Sequence, residues 1–458
     1  MEKKNLGILS VLLAAIVILF TAMLVLCGMY LDLRLNGVTS SLPHIPENDK
    51  WILTDNSYNS HNSSGNLIAP VFLGLKNNAS GMMAATYNED ARETLGNMFE
   101  AEMTALFNGY AEKMLFENDE HKKEFAKKIM ASESFMYMCF YNELPSAAIL
   151  PGIYGSGSYM PLNESFYVKC VFILPDGDSI KGVCFDSELN ACVLSPGNKT
   201  EYNQSALYAY NEVSGFAAFE FLNESCPEPV FTQSFEINSV VMAPSFSFYK
   251  FNLNDNNTTE LLKALDFNTN LVKTYTYSTN SIVSFVGEEK ELYVSYSDRS
   301  LHYNGFDGGI HMSEYLKYYP QNGEYTFTDT VLCVRYLLNC IDRILIGGDA
   351  KPSVVGIFYE NNEVIFRLKY FYNGIAITES NADITVVMDG KYIKRIDINT
   401  MFCYSGNLTV PVIPQKLALN LFDDEKLDDG FSGLGAVLEN NANGGTTELV
   451  WIVRKEGA

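Results

Sequence analysis

The sequence predicts an α+β fold, in which an N-terminal transmembrane helix is followed by about three modules of antiparallel sheet with packed helices. Three observations predict it. A long apolar run opens the chain. Segments of helical period alternate with groups of short alternating strands. Those strands are joined by Asp-Gly, Asn-Asn and Asn-Gly pairs of the kind that turn a hairpin.

The opening run comes first. Lys3 and Lys4 precede an uncharged stretch from Asn5 to Leu31, and Asp32 is the first acidic residue after it. A bilayer core of roughly 30 Å needs about 20 apolar residues in a helix, which this stretch supplies. It exceeds the ~7–15 residues of a cleaved signal peptide's apolar region. Leu26 also stands where a lipoprotein acylated at Cys27 would need a small residue. The run is therefore read as a retained anchor. The lysines place the N-terminus in the cytoplasm and residues 32–458 outside a cell membrane crossed once. Within the anchor, Ser10, Ala14 and Ala15 form a small-residue face suited to close contact with a partner's transmembrane helix.

Residues 37–65 lack periodicity and read as a tether. Thr86 and Glu89 fit a capping box, followed at helical spacing by Leu95, Phe99, Met103, Leu106 and Tyr110. A second helix is expected near 119–131, with Phe125 and Ile129 on its buried side. SFMYMCFYNELPSAAIL (134–150) reads as a strand that Pro145 stops. From about residue 165 the chain turns β-rich, with a hairpin at Asp176–Gly177, then ALYAYNEV and FAAFEF. A short helix near 258–266 precedes the strands of SIVSFVGEEKELYVSYSDRSLHY. The last third repeats this plan. TDTVLCVRYLLNCIDRILI reads as a helix, followed by strands that turn at Asn361–Asn362, Asn373–Gly374 and Asp389–Gly390, and ELVWIVRK closes the chain. The expected modules are 1–31 (cytoplasmic start and anchor), 32–165 (tether and helical N-terminal module), 166–315 (middle α+β module) and 316–458 (C-terminal α+β module). An aromatic content of 13% suits such sheets, because Tyr and Phe pack well across strands.

A net charge of −23 excludes a nucleic-acid binder, which needs a basic face. The nine cysteines form no CxxC, and none is spaced with histidine for zinc. Cys184 and Cys192 are close enough to close a small loop, and buried free thiols are an equal alternative. Cys333 and Cys340 stand two turns apart on a helix, a rise of ~10 Å that forbids a mutual disulfide. Of the five histidines, none lies in HExxH, and there is no nucleophile elbow or phosphate-binding loop. The Ser247–Lys250 pair sits in a β-like segment without the companion motifs of penicillin-recognising enzymes. DDEKLDDG and DFNTNL both miss oxygen ligands that a calcium loop requires. The sequence therefore offers no catalytic residue, no cofactor-binding residue, no metal ligand and no cofactor.

The layout of the chain resembles the YycH family of membrane-anchored regulators of the WalK–WalR (YycG–YycF) two-component system. The resemblance is carried by the anchor, by FMYMCFYNELPSAAI, by NLVKTYTYSTNSIVSFVGEEKELYVSYSDRSLHY, and by VIFRLKYFYNGIAI with ADITVVMDGKYIKRIDI. The last two segments and ELVWIVRK are similar to the closing module that YycH shares with its partner YycI. Ala376 departs from the proline the family often has after Asn-Gly. The resemblance implies a non-enzymatic regulator that contacts a WalK-like sensor histidine kinase and a YycI-like companion at the membrane. Such a regulator is expected to carry an apolar or aromatic surface patch and no polar cluster held in a pocket. A PepSY-like extracytoplasmic binding module that recruits or restrains cell-wall enzymes is the alternative. An exterior enzyme would instead need a pocket of convergent acid–base groups.

Overall fold

The computed structural model describes residues 66–77, 82–155, 166–204, 214–223, 226–243, 256–277, 282–296, 298, 300–306, 308–320, 324–345, 349–377, 383–399, 402–414, 417–418, 431–439 and 448–455. The anchor with Ser10, Ala14 and Ala15, the tether, the segment ALYAYNEV, the Ser247–Lys250 pair and DDEKLDDG lie outside these residues. Among the described residues no helix is long and apolar enough to cross a membrane.

The first half of the chain builds β1 (Phe72–Lys76), β2 (Met83–Thr86), α1 (Glu89–Phe107), β3 (Tyr110–Lys113), α2 (Asp119–Met130), β4 (Phe135–Pro145) and α3 (Ser146–Ile153). It continues with β5 (Tyr167–Asp176), β6 (Ser179–Phe185), β7 (Ala191–Ser195), β8 (Phe216–Asn223) and β9 (Cys226–Phe231). These nine strands pair in the order β3-β7-β6-β5-β4-β1-β2-β8-β9. β4 shows why FMYMCF reads as a continuous apolar run. Met136, Met138 and Phe140 join the core under α1 and α3, whereas Phe135, Tyr137 and Cys139 join a second cluster under α2. A sheet covered on both faces needs no polar alternation.

The second half adds β10 (Phe235–Ala243), α4 (Asn256–Ala264), β11 (Lys273–Tyr277), β12 (Ile282–Val286), β13 (Lys290–Ser295), β14 (Ser300–Gly305), β15 (Ile310–His311), α5 (Ser313–Leu316) and α6 (Phe327–Leu345). Then come β16 (Lys351–Glu360), β17 (Glu363–Tyr372), β18 (Ile375–Ala376), β19 (Ile384–Asp389), β20 (Tyr392–Asn399), β21 (Phe402–Val412), β22 (Phe431–Glu439) and β23 (Glu448–Lys455). β11-β12-β13-β14-β20-β19-β17-β18-β22-β23 form a twelve-stranded sheet with β15 and β16 at its flanks, and β10 and β21 pair as a separate ribbon. Pairing is antiparallel except between β18 and β22. The α+β class with antiparallel sheets is thus as the sequence predicts. The first sheet takes strands from both sides of residue 165, and the second from both sides of residue 315.

The hairpin pairs behave as their residue types require. Gly177, Asn361, Asn362, Asn373, Gly374 and Gly390 all have positive φ. Two local expectations differ from the structure. α1 is capped by Asn88, whose side chain accepts from the Ala91 N–H, and not by Thr86. Thr86 is held in β2 by its pairing with Phe216 on β8. Helix α1 ends at Phe107, so Tyr110 leaves the helical stripe for the edge strand β3. The strand stops at Pro145 as expected, and the SAAIL that follows opens α3. The extended Pro145 ends the strand, and the Ala-rich residues after it favour helix.

One continuous core links the two sheets. Leu73, Phe99 and Leu150 of the first half share it with Leu261, Phe285, Leu337 and Val386 of the second. α6 packs on α3 and on α4 and α5, so it lies between elements of both halves. Polar ties reinforce the junction. The Val354 N–H donates to the Leu67 carbonyl at 2.9 Å, and the Ala69 N–H donates to the Ser353 hydroxyl at 2.7 Å. Arg335 on α6 donates to the Pro151 carbonyl at 3.2 Å.

Candidate interaction surface

The start of α6 organises an exposed aromatic surface. Thr326 and Asp329 form a reciprocal capping box. The Thr326 N–H donates to Asp329 Oδ2 at 2.7 Å, and the Asp329 N–H donates to Thr326 Oγ1 at 3.2 Å. The same carboxylate accepts the Tyr318 hydroxyl, and the Tyr325 hydroxyl donates to the Tyr318 carbonyl at 3.0 Å. Lys317 ends α5 in the left-handed region, at φ 59°, and turns Tyr318 and Tyr319 outward. A tyrosine-rich loop is thereby pinned to a helix terminus.

His311 sits at the centre of this loop. Its Nδ1 accepts the Ser313 N–H at 3.2 Å, which leaves the ring proton on Nε2. Tyr319, Tyr325 and Tyr392 surround it at centroid distances of 5.3, 5.8 and 5.2 Å. Burial and the nearby Lys391 ammonium hold the imidazole below its usual pKa, so it is neutral at neutral pH. The Lys391 and Lys394 ammonium groups lie 5.7 and 5.9 Å from the Tyr392 ring, in cation–π range. Tyr319 is 72% exposed.

The surface extends along α6. Tyr336 is exposed and within electrostatic reach of Tyr318. On β16, Tyr359 packs on Phe327 at 5.8 Å and is 49% exposed. Tyr167 of the first sheet is also exposed and close enough to push the Tyr359 hydroxyl upward, after burial. Exposed, rigid tyrosines grouped in this way are the anchors of protein interfaces, since they bury large area at low entropic cost.

A second arrangement resembles a catalytic relay. His302 Nδ1 is 2.8 Å from Asp397 Oδ1, and its Nε2 is 3.0 Å from Ser300 Oγ. This is the order of a hydrolase triad. The setting does not suit acyl transfer. Ser300 is only 5% exposed, and β14 is paired on both sides by β13 and β20, which engages the backbone donors an oxyanion would need. Asp397 is also claimed by Arg395 at 3.1 Å. The cluster reads as a polar ladder on the open sheet face.

The other sequence candidates are accounted for locally. Cys184 and Cys192 stand opposite each other across β6 and β7 as free, buried thiols. Cys333 is a free, buried thiol as well. In DFNTNL, Asp266 pairs with Lys290 at 2.6 Å, and Asn268 accepts the Asn270 N–H. Among the described residues no group of three His, Cys, Asp or Glu is placed to hold a metal ion. Sequence reasoning did not find the aromatic surface. The available signal was EYLKYYPQNGEYTF (314–327), where tyrosines crowd between turn residues.

The chain is a two-sheet α+β scaffold that presents a grouped, exposed aromatic face. Its fold is of the YycH type. The crystal structure of YycH from Bacillus subtilis matches it with a TM-score of 0.54 at 12% identity, over 86% of this chain and 95% of that one. A crystal structure of an uncharacterized protein from Eubacterium rectale overlaps less, with a TM-score of 0.29 at 16% identity, over 47% of this chain and 76% of that one. No protein-family model and no curated protein matches the sequence.

Proposed function

We propose that this protein is a non-enzymatic, membrane-anchored regulator acting outside the cytoplasmic membrane. It modulates a WalK-like sensor histidine kinase of a cell-wall-related two-component system, beside a YycI-like companion. The observation that carries this reading is the YycH-type fold along most of the chain. The aromatic face supports it, as a contact surface of the kind such a regulator needs. Residues 1–31 tether the ectodomain to the bilayer, which raises its effective concentration towards a membrane partner. Ser10, Ala14 and Ala15 offer the transmembrane part of the contact.

The test is capture from membranes. The tagged full chain is extracted in mild detergent from its own cells, and co-purifying proteins are identified by mass spectrometry. A histidine kinase is the expected partner. Recovery of cell-wall enzymes without a kinase would overturn the regulator reading in favour of a wall-enzyme recruiter. An exchange of residues 6–31 for an unrelated anchor is expected to weaken capture, and unchanged capture would remove the role given to Ser10, Ala14 and Ala15.

A further inference from the structure

A partly open cleft with a cavity volume of about 90 Å³ lies where the first sheet meets the β17–β18 turn and the β10–β21 ribbon. Its walls are apolar and aromatic, including Phe72, Tyr87, Phe231 and Phe235. Phe231 packs tilted against Phe72 at 5.0 Å and edge-on against Phe235 at 4.8 Å, and Tyr87 stacks on Phe235 at 4.8 Å, so the wall is one packed aromatic surface. Two cations also line it, Arg92 and Lys169, with one carboxylate, Glu228. This departs from the expectation that no polar cluster is held in a pocket.

Arg92 is unusual. It is 6% exposed, in a chain whose 55 acidic residues outnumber 32 basic ones. Nη1 donates to the Pro70 carbonyl at 2.6 Å and Nη2 to the Asn373 carbonyl at 3.1 Å. Gly374, at φ +77°, presses so close that a Cβ there would lie 2.1 Å from Nη2. The guanidinium is thus locked in place. Yet its Nε is buried without a hydrogen-bond partner, and the nearest carboxylate, Glu89, is mostly exposed and 3.9 Å away. A buried donor left unpaired is costly, and a buried cation more so. Lys169 is half-buried, and its ammonium donates to the Tyr141 carbonyl at 2.5 Å, with further N–H groups to offer. An arginine does not give up its proton, so this pair suits anion binding and not acid–base chemistry.

We propose that the cleft binds an apolar carboxylate, either a small aromatic or aliphatic acid or the free C-terminus of an extended peptide. Arg92 and Lys169 face the carboxylate, and the aromatic wall takes the apolar part. Glu228 opposes the anion and sets a limit on affinity.

The full chain in detergent is titrated calorimetrically with N-acetylphenylalanine and its amide, and with a five-residue peptide ending in phenylalanine as free acid and as amide. Each free acid is expected to bind about tenfold or more tightly than its amide, because charge-assisted hydrogen bonds are lost in the amide. The peptide acid binding tenfold tighter than the small acid identifies a chain terminus as the ligand, and the reverse identifies a free acid. Lys169→Gln is expected to weaken acid binding about fivefold or more, and Glu228→Gln to tighten it about threefold. Unchanged thermal unfolding of both variants keeps the comparison clean. Equal binding of acid and amide, or no binding of either at about 1 mM, would overturn the proposal.

Discussion

Leu337→Ala is expected to lower stability by about 3 kcal/mol and to do so for both sheets at once. Leu337 is fully buried on α6, within the core shared by the two halves. Its loss leaves a cavity between α6 and its neighbours, which a close-packed interior relaxes into only partly. The larger consequence is cooperative. The helices on this side are shared, because α6 packs on α3 from the first half and on α4 and α5 from the second. Denaturant-dependent hydrogen exchange should therefore show β4 and β19 losing protection together in the variant. If β4 keeps wild-type protection while β19 opens, the two halves are separate folding units and the shared core is without energetic weight.

Tyr319→Ser combined with Tyr359→Ser is expected to weaken kinase capture about 100-fold or more, with each ring acting as an interface anchor of roughly 2 kcal/mol. Stability should change by about 1 kcal/mol or less, because Tyr319 is exposed and Tyr359 loses only its half-buried contact with Phe327. The rings are well placed for this role, since each is tied to a neighbour in the free protein. Tyr319 follows a loop pinned by the Asp329 carboxylate, and Tyr359 rests on Phe327. Ordering them on binding costs little. The control is Tyr110→Ser, an equally exposed tyrosine on the edge strand β3, which should leave capture unchanged.

Much of this fold is legible in the sequence, and the reasons are local. The hairpins at Asp176–Gly177, Asn361–Asn362, Asn373–Gly374 and Asp389–Gly390 follow from residues that tolerate positive φ. Helices α1, α2, α4 and α6 follow from the spacing of their apolar residues. What is not legible is non-local. Nothing in the sequence announces that β8 pairs with β2 across more than a hundred residues, yet that pairing keeps Thr86 in a strand and passes the cap to Asn88. The interaction surface is hidden for the same reason. His311, Tyr319, Tyr325 and Tyr392 share no period, and only the pairing of β15 with β20 brings His311 beside Tyr392. The Arg92 cleft depends on a contact between α1 and the Asn373–Gly374 turn, nearly three hundred residues away.

The claim that the aromatic face of α6 is where this protein meets a sensor kinase is tested most directly by site-specific photocrosslinking in intact cells. Benzoylphenylalanine is placed at position 319 and, as a control, at position 199, an exposed lysine on the first half of the chain. A covalent adduct with a histidine kinase from position 319 and none from position 199 is the expected result. An adduct from position 199 alone, or adducts at 319 only with proteins other than a kinase, would contradict it.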